Sequence, residues 1–210
     1  MSDLGMDMDK WIIGFDRVLK TLVGPVETTR PLDEDNAESL SEFNKKHSAA
    51  LMRVNHSGEV SAQALYLGQS LTVRREDLKT MFRQAASEEV DHLGWCETRI
   101  RELGGKTSRL NPVWFAGSFA IGACAGFFGD GASLGFLAET ERQVGEHLAE
   151  HLEKLAVEDS RTRSIVLMMQ ADEAKHEQSA REAGGIALPA PVRILMRLCS
   201  SVMTRTAYRI

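Results

Sequence analysis

The most constraining feature of this chain is a pattern that occurs twice. Glu59 stands 30 residues before Glu89-Val-Asp-His92, and Glu141 stands 32 residues before Glu173-Ala-Lys-His176. On a helix, residues three apart share a face, so each Glu-x-x-His can aim a carboxylate and an imidazole at one point. One such pair on its own is weak evidence, because Glu is common and a solvated face explains it. The spacing to the preceding glutamate adds the constraint. About 30 residues is the length of a helix, a reversal and a return, so each half reads as an antiparallel hairpin with its three polar residues at one level. Two such hairpins supply four carboxylates and two imidazoles, the ligand set of di-iron and di-manganese carboxylate bundles. Oxygen-rich sites with some nitrogen suit iron or manganese better than structural zinc.

The neighbours of these residues agree. Glu89 and His92 share a stripe with Phe82, Ala85, Ala86, Cys96 and Leu103. Glu173 and His176 share one with Val166, Met169 and Ala180, and Glu141 lies with Leu134, Leu137, Ala138, Leu148 and Leu152. Carboxylates on apolar faces are costly unless paired or metal-bound. Glu59 is the weakest member by periodicity, since His56, Gln63 and Tyr66 make its face mixed. Glu88, Glu139 and Glu177 read as solvated. Asp172 or Asp91 is expected to hold the outer N–H of a ligand histidine, or else to be exposed beside it.

Strand signals are scarce and apolar spacings of three and four dominate, so the chain is read as all-α. Helices are expected at about 9–23, 37–72, 76–103, 132–157, 159–184 and 189–208. The four long ones form two pairs with short turns and a long crossover between them. That is the topology of a ferritin-like four-helix bundle with extra N- and C-terminal helices, read as one domain over 1–210. The crossover, 110–129, carries no charge before Asp130 and holds Trp114, Phe115, Phe119, Phe127 and Phe128. It is short and glycine-rich for a membrane span, so a helix lying in the interface with these rings in lipid is the better expectation. The segment 1–30 is amphipathic, with Trp11, Ile12, Phe15 and Leu19 flanked by Lys10, Arg17 and Lys20. The segment 191–210 is basic, with Arg193, Arg197, Arg205 and Arg209 and no acid after Glu182. Both could assist at a membrane surface or pack on the bundle or a dimer partner.

Other chemistries find little support. The net charge of −5 and the lack of a basic stripe give no reason to expect nucleic acid. Cys96, Cys124 and Cys199 are scattered, without a disulfide framework or thiolate cluster. The run Gly126-Phe-Phe-Gly129-Asp-Gly131-Ala-Ser-Leu134 is not a dinucleotide loop, since Leu134 stands where the third glycine of Gly-x-Gly-x-x-Gly should be. His147-Leu-Ala-Glu-His151 matches a zinc-peptidase pattern, but Thr140, Gln143 and Lys154 make its face read as solvated.

At Leu51-Met-Arg-Val-Asn-His-Ser-Gly-Glu-Val-Ser-Ala-Gln-Ala-Leu-Tyr the sequence closely resembles the demethoxyubiquinone monooxygenase family of ubiquinone biosynthesis. The likeness continues through Glu88-Glu-Val-Asp-His-Leu, Ala138-Glu-Thr-Glu-Arg-Gln-Val-Gly-Glu-His-Leu and Asp172-Glu-Ala-Lys-His. The resemblance puts the family's metal ligands on Glu59, Glu89, His92, Glu141, Glu173 and His176. It implies two non-haem irons, O₂ as co-substrate, and two electrons from NADH or another reductant. The implied reaction is hydroxylation of a polyprenyl methoxy-methyl-benzoquinone to demethylubiquinone. It further implies a peripheral position on a membrane, and it leaves room for a homo-oligomer and for a partner protein that presents the quinone. With an acidic N-terminus unlike a transit peptide, the cytoplasmic face of a bacterial inner membrane is expected. The rival reading is a ferritin-like ferroxidase with no organic substrate; a plain helical scaffold is the other.

Overall fold

In the computed structural model, which describes residues 28–30 and 40–210, the first helix starts where local chemistry starts it. Ser41 accepts a hydrogen bond from the Asn44 amide at 3.2 Å, and Glu42 sits in the first turn, where a negative charge favours the helix dipole. Helix α1 spans Glu42–Thr72, so its start lies later than the expected 37. Residues 73–75 reverse the chain into α2, Glu76–Glu102, which has acids in its first turn and Arg99 and Arg101 in its last. Gly104 ends it with φ +73°, a conformation that a side chain would strain. The apolar crossover is itself a helix, α3, Asn111–Phe127, with Pro112 in its opening turn. Helix α4 spans Asp130–Lys154, three residues short of the expected end. Asp159 then caps α5, Ser160–Glu182, by accepting from the Thr162 amide at 3.1 Å. Helix α6 spans Ala190–Ala207. No strand occurs among the described residues. The helix expected at 9–23 lies outside them.

Helices α1 and α2 form one antiparallel pair and α4 and α5 the other; α3 packs along α1. Glycine makes that last contact close. A Cβ on Gly122 would overlap the carbonyl of Leu65, one on Gly126 would overlap Thr72, and one on Gly68 would overlap the backbone of α3. Phe115 is buried against Val60, Ala64 and Leu93. The expectation that all five aromatic rings of this segment face lipid is therefore corrected. Phe115 is core, Trp114 and Phe119 are half-buried, and only Phe127 and Phe128 are exposed. No helix among the described residues is long and apolar enough to cross a membrane.

Helix α6 lies outside the four-helix core, against α1 and α4. Ser61 reaches Met203, and the Arg53 guanidinium donates to the carbonyl of Tyr208 at 3.1 Å. At its other end, Gln143 of α4 donates to the carbonyl of Arg193 at 3.3 Å.

The core divides into two apolar clusters. One holds Tyr66, Phe82, Leu134, Leu137 and Ala180; the other holds Met52, Trp95, Ile100, Leu148, Ile165 and Met169. On each of the four long helices, the predicted metal-site residues fall between the positions that build the one cluster and those that build the other. A polar layer is thus sandwiched at mid-bundle, and this layer is the candidate site.

Candidate metal centre

All six residues singled out by spacing meet in that layer. They form two groups. Glu59, Glu89, His92 and Glu173 make one, and Glu89, Glu141, Glu173 and His176 make the other; within each group, donor atoms lie within 4.8 Å of one another. Glu89 and Glu173 belong to both. The first four-residue group takes three residues from the α1–α2 hairpin and one from α5. The second takes three from the α4–α5 hairpin and one from α2. Glu59, Glu89, His92, Glu141 and Glu173 are each at most 2% exposed. The mixed face of Glu59 is explained by its helix: α1 touches α2, α3, α4 and α6 and is buried on almost every side.

Four carboxylates this close and this buried need positive charge. His92 Nδ1 lies 2.9 Å from Glu89, 3.4 Å from Glu59 and 3.3 Å from Glu173. His176 Nδ1 lies 3.4 Å from both Glu89 and Glu173. Burial together with the neighbouring carboxylates, Glu89 and Glu173, pushes the Glu59 carboxyl well above its usual range. Burial and Glu173 do the same to Glu141. At Glu89, burial is outweighed by the two imidazoles, which hold it below that range. In His92 and His176, burial is likewise outweighed by the surrounding carboxylates; His92 is raised well above its ordinary value and His176 to about 12. Even so, Glu89 Oε1, Glu141 Oε2, both Glu173 oxygens and His176 Nδ1 are buried without a hydrogen bond. Such orphaned donors and acceptors are rare and point to an unseen partner. Two dications sharing two carboxylates would satisfy them, so the residues fit a carboxylate-bridged metal pair.

Each imidazole is steered from outside. His92 Nε2 donates to Asp172 Oδ2 at 3.2 Å, so of the two candidate aspartates it is Asp172 that orients a histidine of the layer. Asp172 also meets Arg30 at 2.7 Å and Lys175 at 2.9 Å. The His92 hydrogen bond, ahead of Lys175 and Arg30, holds its carboxyl below the usual range against the effect of burial. Asp91 instead receives the Thr29 amide at 2.6 Å, the Thr29 hydroxyl at 2.8 Å and Arg30 Nε at 3.2 Å. The Arg30 guanidinium lies 4.6 Å over the Trp95 ring. A cavity of about 760 Å³ opens beside this network, walled by Arg30, Glu88, His92, Asp172, Lys175 and His176 among others.

Three expectations about the surroundings are corrected. Glu88 does not simply face solvent: it accepts from His176 Nε2 at 2.7 Å, the counterpart of Asp172 on the second histidine. Glu139 is 5% exposed because Arg142 and Gln143 close over it, at 2.6 and 2.7 Å. The His147–His151 face is not solvated either, since His151 is 2% exposed. Glu177 is half-buried and pairs with Arg181 at 2.7 Å. Tyr66, noticed only as a residue that blurred the Glu59 face, is fully buried and donates its hydroxyl to Glu141. A fully buried tyrosine needs a partner for its hydroxyl, and that need is the signal that could have found it.

The chain is similar to known proteins along most of its length. The model of the family described as Ubiquinone biosynthesis protein COQ7 matches residues 46–207. A 3-demethoxyubiquinol 3-hydroxylase from Nitrosomonas europaea is 55% identical over 205 residues, covering 97% of this chain and 99% of its own. Its namesake from Nitrosospira multiformis is 54% identical over 204 residues, with 96% and 98% covered. One from Ralstonia pickettii is 51% identical over 216 residues, with 97% and 100% covered. Among solved structures, a dodecameric thioferritin, the bacterioferritin-related protein of Bacteroides fragilis, superposes with a TM-score of 0.56 at 22% identity, over 75% of this chain and 90% of that one. That likeness shows a ferritin-like fold. By the extent of the family match and by its relatives, this chain belongs to the ubiquinone biosynthesis protein COQ7 family.

Proposed function

We propose that Glu59, Glu89, His92, Glu141, Glu173 and His176 hold two iron ions, and that the chain uses O₂ to hydroxylate the ring of a polyprenyl methoxy-methyl-benzoquinone presented as its quinol. The observation that carries this is the sharing of Glu89 and Glu173 between two donor groups in a buried layer. A storage protein and a hydroxylase can both use such a layer; the family and its relatives, named as hydroxylases, favour the latter.

The metal pair would supply activation of O₂, with electrons from NADH or another donor. The chain's own residues do the rest. Four carboxylates offset the charge of two ferrous ions, so the reduced layer is neutral. Asp172 and Glu88 each take the outer N–H of a histidine and so present Nδ1 to the layer. Tyr66 holds Glu141 by its hydroxyl. Phe82 and Leu137 on one side and Met169 on the other keep water out, which strengthens every charge interaction inside.

The substrate's isoprenoid tail resides in lipid, and two surfaces suit a peripheral approach. Phe127 and Phe128, each 77% exposed, end α3. Helix α6 exposes Ile194, Leu195, Leu198 and Val202, with Arg193, Arg197, Arg205 and Arg209 alongside. An apolar stripe bordered by arginines matches a helix lying in an anionic interface, each cation adding about 1 kcal/mol near the surface.

The test is a single-turnover reaction. Protein loaded anaerobically with ferrous iron receives short-tailed demethoxyubiquinol, a reductant and ¹⁸O₂. Label in the quinone ring, absent with Glu173→Ala, is the expected result. Iron oxidation without labelled product in an intact preparation supplied with reductant would overturn the hydroxylase reading in favour of a ferroxidase.

A further inference from the structure

The chain has six histidines. His92 and His176 belong to the carboxylate layer. His56 accepts a hydrogen bond from Asn111 at 3.1 Å and is held neutral by burial, its pKa lowered to about 4. His47, near the start of α1, bonds to the Tyr208 hydroxyl. The remaining two stand together on α4: His147 and His151 lie six and ten residues beyond Glu141, about 9 and 15 Å along the axis.

The details are those of a ligand set. The rings of His147 and His151 are 4.1 Å apart between centroids and tilted by 59°. His151 is 2% exposed, and its Nδ1 is buried without a hydrogen bond; His147 Nε2 is in the same condition. Two unpartnered ring nitrogens buried side by side are costly unless something accepts their lone pairs.

We propose that His147 and His151 form a second metal site that takes a late first-row divalent ion such as zinc, nickel or copper, with solvent completing the coordination. Two imidazoles at i and i+4 share one helix face. Nitrogens that share an ion at about 2.0–2.1 Å in a tetrahedral arrangement stand about 3.3 Å apart, which rings at this separation can meet. The donors are nitrogen alone, with no carboxylate among them, and imidazole suits zinc, copper and nickel. Both α4 imidazoles are available as neutral ligands, since burial lowers His147, and burial with His147, Lys154 and His47 takes His151 down to about 2. Glu150, the acid of the peptidase-like motif, is exposed and pairs with Lys154 at 3.2 Å, so the site is a binding site without a general base.

The test uses the iron-loaded protein, with Cu²⁺ as a paramagnetic probe and Zn²⁺ in equilibrium dialysis. The wild type is expected to bind one ion per chain beyond its iron, with superhyperfine splitting from at least two nitrogens in the copper spectrum. Zn²⁺ should raise the melting temperature. His147→Gln, at a half-buried position that spares the fold, should weaken binding at least tenfold and abolish the thermal shift. An unchanged copper spectrum and stoichiometry in His147→Gln, no extra ion in the wild type, or Zn²⁺ uptake matched by loss of iron would each overturn the proposal.

Discussion

With no metal bound in the carboxylate layer, the protein should lose stability with rising pH across the neutral range. His92 and His176 are raised in the folded chain, His176 to about 12, so the folded state holds protons that the unfolded chain gives up above about 6.5. The stabilisation from such a group is fully present below its unfolded pKa and is lost as pH climbs towards the folded one. Glu59 and Glu141 are raised too and act with the same sign. Opposing groups fall silent above pH 7. Glu89, Asp91, Asp159 and Asp172 are lowered and are ionised in both states there. His56, His147 and His151 are lowered and are neutral in both. Between pH 7 and 8.5 the two ligand histidines therefore dominate. Each differential proton contributes at most about 1.4 kcal/mol per pH unit, so the pair gives a ceiling of about 2.7 kcal/mol. At roughly 2–4 °C per kcal/mol for a chain of this size, the melting temperature should fall by about 5–10 °C per pH unit. Metal loading displaces those protons, so the loaded protein should be nearly flat over the same window and sensitive to acid instead. Calorimetric melts of chelated and loaded protein at pH 7.0, 7.75 and 8.5 measure both slopes. A chelated protein whose melting point holds or rises from 7.0 to 8.5 would refute the reasoning.

Other changes have definite expected outcomes. Asp172→Ala removes the outer partner of His92, and iron affinity should drop about 10- to 100-fold in a competition titration with a chelator, with helicity unchanged. Arg99 is 3% exposed and pairs at 2.7 Å with fully buried Asp159; Arg99→Ala strands that carboxylate and should cost about 3–5 kcal/mol in urea unfolding. Gly122→Leu drives a side chain into the Leu65 carbonyl and should cost about 1–3 kcal/mol or more. Phe127→Glu with Phe128→Glu should lower binding to anionic liposomes, whereas Phe115→Glu, at a buried position, should unfold the chain before it reports on lipid.

The centre was readable because its geometry is local. Three-residue spacing and the length of one hairpin fix where a carboxylate and an imidazole can meet, so six positions could be named without coordinates. What lay hidden depends on contacts between distant elements. His151 sits on a face whose neighbours in sequence, Thr140, Gln143 and Lys154, look solvated, and Glu139 points away from the Glu141 stripe. Arg142 closes over Glu139, and the His147 ring lies against His151. Glu88 sits one residue from a ligand, where periodicity turns it away from the layer; only the position of His176 on α5 gives it a role. In the crossover, composition revealed the apolar character. The glycine seam against α1, which decides that Phe115 points inward and Phe127 outward, depends on a partner helix that the segment's own residues do not describe.

The exchange of one carboxylate between the hairpins has a consequence for ancestry. Each hairpin carries one Glu and one Glu-x-x-His, and each lends a single oxygen ligand across the midline. Two copies of either hairpin, related by a twofold axis, would assemble the whole centre with nothing left over. The site is thus a symmetric object written twice into one chain. Duplication and fusion of one self-pairing hairpin would suffice to build it, and the halves differ at the residue that holds the other's histidine, Asp172 in one and Glu88 in the other.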